Sequence, residues 1–323
     1  MVNLKLDIPT DFLKEEVRWN HVISTKTKEL WAVELDLAVE LRRVCNKHNL
    51  RFALSSGSLL GAVRHKGFIP WDDDLDLMMP RQDYEKLCAI AHSEFGHPYY
   101  FECFRTDPTF PYCYAKLMNV DTTFYENKCV RHHGIYIDIF PYDNIIDDDV
   151  LLAKQGQGLV KLFKELQRIS FCDANYYKES GISFARKMAR LLIYCKKQLF
   201  NIKPGGKTHM SIFNKYEELV TRYNNVATKY MGPLSIYHIN CENLILSEDV
   251  DSINSFIPMD FEFLEFPGLR HYHENLTSRY GDYMQPVKGS SWHKLMEFDT
   301  DKPYYVYFKE KGMKNFILPP SLQ

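Results

Sequence analysis

Two groups of aspartates stand where a carboxylate needs a reason to be. Asp74-Leu75-Asp76 opens a run, Asp74 to Met79, that alternates polar and apolar residues before stopping at Pro80, the pattern of a half-buried strand. Side chains two apart on a strand point to one face, so both carboxylates can grip one divalent cation. Hard cations such as Mg²⁺ take oxygen ligands, commonly one or two protein carboxylates with substrate phosphates and waters. Asp138 is the acid inside a second apolar run, Gly134 to Phe140, where an unpaired charge is expensive to bury and a cation would be a fitting partner. Asp74, Asp76 and Asp138 are therefore the expected catalytic and metal residues, with Mg²⁺ or Mn²⁺ as the cofactor. A calcium loop is excluded: Asp72, Asp74 and Asp76 fit its first, third and fifth positions, but Leu77 replaces the glycine and Asp83 the final glutamate. Trp71 to Asp74, taken alone, reads as a solvated turn.

The elements that must position these acids follow from periodicity. Thr25 to His48 has apolar residues at helical spacing (Leu30, Val33, Leu37, Leu41, Val44), which predicts an amphipathic helix with its charges outward. A short strand, Arg51 to Ser55, leads through Ser56-Gly57-Ser58 into a helix over Leu59 to Arg64. The amides of Gly57-Ser58 and the Ser58 hydroxyl can then hold a phosphate at that helix N-terminus. Gln82 to Phe95 reads as a helix, and Cys113 to Met118, Thr122 to Tyr125 and Gly134 to Phe140 as strands, the last ended by Pro141. Beyond Asp149 the pattern turns helical over Leu151 to Phe171, Ser183 to Phe200 and Lys215 to Tyr230. Phe261 to Leu269 and Tyr304 to Phe308 read as extended. The fold class expected is α/β (α+β): a nucleotidyltransferase-like mixed sheet flanked by helices, with a helical insertion. Its core occupies 1–150, the insertion 151–235, and a C-terminal segment, 236–323, completes the site.

The run from Ser56 to Asp76, SGSLLGAVRHKGFIPWDDDLD, resembles the LicD-type phosphocholine transferases, which are related to the fukutin proteins. Ala115-Lys116-Leu117, the stretch from Gly134 to Asp143 and Arg279-Tyr280-Gly281-Asp282-Tyr283-Met284 carry the likeness further. The resemblance implies transfer of a phospho-alcohol, typically phosphocholine, from a CDP-activated donor such as CDP-choline to a sugar hydroxyl of a surface glycan, teichoic acid or a lipopolysaccharide precursor, releasing CMP. It also implies that Asp138 accepts or orients the attacking hydroxyl's proton. Arg64, His65, Lys66 and Lys116 are candidates to neutralise the diphosphate, and Trp71 to stack on a base or meet a choline cation. Gly57, Ser58, Asp73 and Asp282 complete the expected substrate-binding set. Three alternatives stay open: ribitol or glycerol phosphate as the transferred group, nucleotidyl transfer with release of pyrophosphate, and a non-catalytic nucleotide- or glycan-binding protein.

Composition sets the outer limits. The 323 residues, 45% hydrophobic, suffice for a full core. A net charge of -2 gives no whole-chain attraction to nucleic acid, which is not an expected partner. Eight cysteines without a CxxC pair predict reduced, mostly buried thiols. Met1 to Thr10 does not read as a secretory signal, so the expected location is the bacterial cytoplasm, with peripheral contact at the inner membrane face. Between Gly181 and Lys215 there are eight basic residues and no acid, a face suited to an anionic membrane or glycan, including a lipid-linked acceptor, or simply to solvent.

Overall fold

The structure is a computed structural model that describes residues 1–125, 133–171, 183–236, 248–285, 297–312 and 316–319. The chain forms two compact units. The first comprises Met1–Glu102, Ala115–Pro141 and Glu248–Gln323; the second comprises Cys103–Tyr114 and Tyr142–Ser247.

The first unit begins with the hairpin β1 (Glu16–Arg18) and β2 (His21–Ile23), followed by helix α1 (Thr25–His48). Ser24 caps α1, its hydroxyl accepting from the Thr27 amide, and Asn49 ends it in the left-handed conformation. Then come β3 (Ala53–Leu54), α2 (Ser56–His65), β4 (Asp76–Pro80), α3 (Arg81–Glu94), β5 (Tyr99–Glu102), β6 (Ala115–Asn119), β7 (Thr123–Tyr125) and β8 (Ile135–Ile145). Its sheet has the order β3-β4-β8-β6-β5, with antiparallel pairing of β3 to β4, β5 to β6 and β6 to β8. The chain returns to this unit through β10 (Glu248–Asp249), α7 (Val250–Asn254), β11 (Ile257–Phe261), β12 (Leu264–Gly268), α8 (Tyr272–Tyr280), β13 (Glu297–Asp299) and α9 (Tyr304–Glu310). The mixed α/β class expected from the sequence is what the structure has.

The second unit holds α4 (Asp149–Phe171), α5 (Phe184–Leu199), α6 (Lys207–Val220) and β9 (Tyr230–Gly232), which pairs with Asp143–Ile145. Its core runs from Phe104 and Cys113 through Leu152, Leu159 and Leu166 of α4 to Phe213, Tyr216 and Leu219 of α6. Among the described residues no helix is long and apolar enough to cross a membrane. Cys45, Cys88, Cys103 and Cys113 are buried free thiols and Cys195 is exposed; Cys129, Cys172 and Cys241 lie outside the described residues.

Five sequence expectations need correction. The DxD strand starts at Asp76, so Asp74 is not its i–2 neighbour on a strand face but part of the irregular segment before it. Strand β8 continues through Pro141, which lies beyond Ile139, the last residue in register with β6, where a missing N–H costs no bond of that ladder. The helix expected over Lys215 to Tyr230 starts at Lys207 and ends at Val220, after which Asn224 turns the chain by bonding Asp143 and the Asn144 amide. Tyr304 to Phe308 is helical, because Tyr304 and Phe308 bury one face at i, i+4. Finally, α1 does not keep its charges outside: Lys28, Glu34, Asp36 and Glu40 are buried.

The segment 66–75, between α2 and β4, is what positions the acids. The tip of the β11–β12 hairpin holds its start: the Glu262 amide donates to Lys66 O, and Glu262 Oε1 accepts from the Phe68 amide at 3.0 Å and from Arg18 at 2.7 Å. Phe68 stacks on Trp31 of α1, ring centroids 4.7 Å apart, and Trp31 Nε1 donates to Asp72 O at 3.1 Å. Gly61 lets the segment lie directly on α2, since a Cβ there would stand 2.3 Å from Gly67 O. Overpacking against backbone costs roughly 1–3 kcal/mol, so Gly61→Ala should lower the urea midpoint of unfolding by that equivalent. An unchanged midpoint would mean that the segment yields and does not depend on this contact.

Candidate active site

Asp76 is fixed through its backbone. Its amide donates to Ser58 Oγ at 2.8 Å, its carbonyl accepts from the Ser55 amide at 3.0 Å, and the preceding carbonyl, of Leu75, accepts from the Asp138 amide at 3.1 Å. Strands β4 and β8 thereby bring the side chain of Asp76 within the field of Asp138. Enclosure by protein, then the charges of Asp74, Asp138 and Asp72, push the Asp76 carboxyl well above the ordinary range, with Arg279 pulling the other way. The oxygens of Asp72, Asp73 and Asp74 include one from each residue lying within 4.8 Å of one another. A Cβ on Gly57 would come 3.1 Å from Asp72 Oδ2, so the first turn of α2 also borders the cluster.

Of the expected metal residues, Asp74 belongs to this group together with Asp72 and Asp73, while Asp76 and Asp138 lie outside it and adjoin it through the charges that act on Asp76. The donor set is all carboxylate oxygen, which fits a hard divalent cation and not a soft one. Lys116 faces Asp138 across the β6–β8 register, Nζ to Oδ1 3.5 Å, with its ammonium over the Tyr136 ring. That places a buried cation beside Asp138.

Of the remaining candidates, Ser58 uses its hydroxyl as acceptor for Asp76. Arg64 donates to Tyr283 O at 2.7 Å and through Nε to His65 Nε2 at 2.9 Å. Burial, then the charges of Arg64 and Arg18, lower the His65 imidazole to about 4. It is neutral at neutral pH and offers hydrogen bonds in place of the charge expected from the sequence. Trp71 lies edge to face with His65 and His21, at 6.4 and 6.0 Å. Lys66 caps α2, exposed, and Asp282 is exposed beyond the end of α8, beside the Tyr283 that receives Arg64.

Three residues escaped the sequence reading. Arg279 of α8 donates to Ser56 Oγ at 3.2 Å and opposes the charge of Asp76; it lies in the Arg279–Met284 stretch, where Asp282 drew attention instead. Ser56 has φ 50°, a left-handed conformation at the start of a helix, which for a residue with a Cβ costs about 1–3 kcal/mol and gathers at functional sites. Glu34 of α1 is 1% exposed, and its Oε2 has no hydrogen-bond partner. It stands one turn from Trp31, the residue that holds the acidic segment.

Burial first, then the charges of Asp74, Asp73, Asp72 and Asp76, raise the Glu34 carboxyl well above its ordinary value. A carboxyl raised in the folded state binds more protons there than in the unfolded chain, so its share of stability is complete below the unfolded value, about 4.3, and is lost as pH rises through the folded value. In chelator, the stability of the protein should therefore fall as pH rises above the ordinary carboxyl range, and Glu34→Gln should flatten that fall. Urea midpoints measured against pH decide it; parallel profiles for the two proteins would remove Glu34 from the cluster's electrostatics.

Residues 49–191 match the family described as LicD/FKTN/FKRP, nucleotidyltransferase domain. The chain is 26% identical over 291 residues, 86% of its length and 96% of the relative's, to the lipopolysaccharide cholinephosphotransferase LicD of Haemophilus influenzae. Uncharacterised proteins of Rickettsia prowazekii and Rickettsia typhi align over shorter stretches. The first is 36% identical over 76 residues, 24% of this chain and 27% of that protein, and the second 45% over 47 residues, 15% of each. The matched range contains Gly57, Ser58, Asp72 to Asp76, Lys116 and Asp138, so the segment that holds the acidic cluster is similar to the nucleotidyltransferase domain described for LicD, FKTN and FKRP, and the likeness to LicD extends along most of the chain.

Proposed function

We propose that the protein is a divalent-cation-dependent transferase that moves phosphocholine from CDP-choline to a sugar hydroxyl of a cell-surface glycan, such as lipopolysaccharide or a teichoic acid precursor, and releases CMP. The observation that carries this reading is the convergence of Asp72, Asp73, Asp74, Asp76 and Asp138 where β4 meets β8, within a chain that resembles a cholinephosphotransferase over most of its length. Asp74, Asp76 and Asp138 would hold the cation, Mg²⁺ or Mn²⁺, which would supply neutralisation of the charge on the diphosphate.

The protein's own groups do the remaining work. Asp138, oriented by Lys116, takes the proton of the sugar hydroxyl as that oxygen bonds to the choline-bearing phosphorus. The bond from this phosphorus to the bridging oxygen breaks, and its electron pair leaves on CMP. Arg279, held at Ser56, and the first-turn amides of α2 meet diphosphate oxygens. Arg64 is held at Tyr283 O and braces the flank of this surface, while neutral His65 supplies a hydrogen bond. A second reading, nucleotidyl transfer, draws on the same acidic cluster and on the domain's family description; it would release pyrophosphate.

Asp76→Asn, Asp74→Asn and Asp138→Asn should each reduce turnover by on the order of 10²–10³-fold or more while the fold persists, because Asp76 and Asp138 are placed by backbone bonds that asparagine keeps. The assay is CMP release from CDP-choline with a glycan acceptor and Mg²⁺. An Asp76→Asn enzyme as active as the parent would sink the site assignment. Pyrophosphate from CTP, with no CMP from CDP-choline, would favour the second reading. A larger thermal shift with CDP-ribitol or CDP-glycerol than with CDP-choline would keep the chemistry and change the donor.

A further inference from the structure

Helix α5, Phe184–Leu199, belongs to the second unit and is built unlike its other helices. None of its residues is buried, although Phe184, Met188, Leu192 and Leu199 are large and apolar, with Phe184 78% and Leu199 79% exposed, and Phe200 follows them. At 100° per residue, Phe184, Met188, Leu191, Leu192, Cys195 and Leu199 fall on one stripe. Arg186, Lys187, Arg190, Lys196 and Lys197 occupy the rest of the circumference.

The helix is nonetheless anchored. Ser183 caps it, its Oγ accepting from the Arg186 amide, and Lys197 Nζ donates to Ile169 O at the end of α4 at 2.7 Å. What holds α5 to its unit is therefore its basic side; among the described residues, the apolar stripe is left uncovered. A stripe of this kind normally drives packing in a globular protein.

Charge identifies what covers it. From Gly181 to Lys215 the chain has eight basic residues and no acid, so the complementary surface is anionic and apolar at once. An anionic bilayer has both properties, with phosphates at the depth of the flanking lysines and arginines and acyl chains beneath. The stripe is about 22 Å long at 1.5 Å per residue, and with five basic residues interleaved it suits a helix lying in the plane of the interface.

We propose that α5 is an interfacial helix that docks the protein on anionic lipid bilayers through Phe184, Met188, Leu192 and Leu199, with Lys187 and Lys196, one on each flank of the stripe, meeting lipid phosphates. This stands apart from the transferase chemistry, since it needs neither donor nor cation.

Flotation of the full-length protein with phosphatidylglycerol-containing vesicles, against vesicles of phosphatidylcholine alone, tests it. The protein should rise with the anionic vesicles and stay behind with the neutral ones. Met188→Glu with Leu192→Glu, and separately Lys187→Glu with Lys196→Glu, should each weaken binding by about tenfold or more, with melting temperature and far-UV circular dichroism unchanged because all four side chains are exposed. Unbound parent protein at low salt would overturn the proposal, as would a Met188→Glu/Leu192→Glu variant that floats like the parent. So would a parent that self-associates through this helix in sedimentation and ignores vesicles.

Discussion

Mutual repulsion among the carboxylates of Asp72, Asp73, Asp74, Asp76 and Asp138 is the constraint against which the first unit is built. Like charges a few ångströms apart in a partly enclosed space raise one another's proton affinity, and side-chain contacts alone would let them turn away. The structure prevents this by fixing backbone. The Asp76 amide and carbonyl are both bonded, the Leu75 carbonyl receives the Asp138 amide, and the Asp72 carbonyl receives Trp31 Nε1. Carboxylates whose main chain is pinned cannot separate by moving the chain, only by rotating side chains. That preorganisation is what a cation site or a site for developing charge requires.

The supporting contacts come from parts of the chain far apart in sequence. Segment 66–75 is held by the tip of the β11–β12 hairpin, through Glu262, and by α1, through Trp31. Arg18 reaches the same glutamate with two parallel bonds of 2.7 Å. Such bidentate pairing fixes direction as well as distance. Conformational strain sits where this scaffold can bear it: left-handed Ser56 and Glu262 each make a bond at the site's margin, to Arg279 and to Lys66 respectively.

Local pattern was enough to find β4, β8, α1 and the order in which Ser56-Gly57-Ser58, the aspartate pair and Asp138 arrive, because each is a short-range signal of alternation, helical period or turn chemistry. It placed Asp74 on a strand because alternation in Asp74 to Met79 does not reveal where pairing begins; Ser55, the partner that sets the first rung, lies outside the run. It read Tyr304 to Phe308 as extended because aromatic residues with Val306 satisfy a period of two, whereas the buried pair is four apart. Arg279 and Glu34 were invisible for a different reason. Their roles come from tertiary contacts 223 residues apart in one case and from a field set by another element in the other, and neither leaves a spacing to read.

Glu34 shows how such residues can be told from ordinary buried acids once contacts are known. Three acids on α1 are buried, and two have partners. Asp36 accepts from the Leu6 amide and from the Tyr99 hydroxyl, both at 2.8 Å, and Glu40 pairs with Arg43 at 2.9 and 3.0 Å. Glu34 precedes both in sequence, and its Oε2 has no partner while burial, and then four aspartates, raise its proton affinity. A polar group left in that condition works against folding. Since the same helix satisfies its neighbours with ordinary contacts, the exception reflects the acidic segment that α1 holds through Trp31.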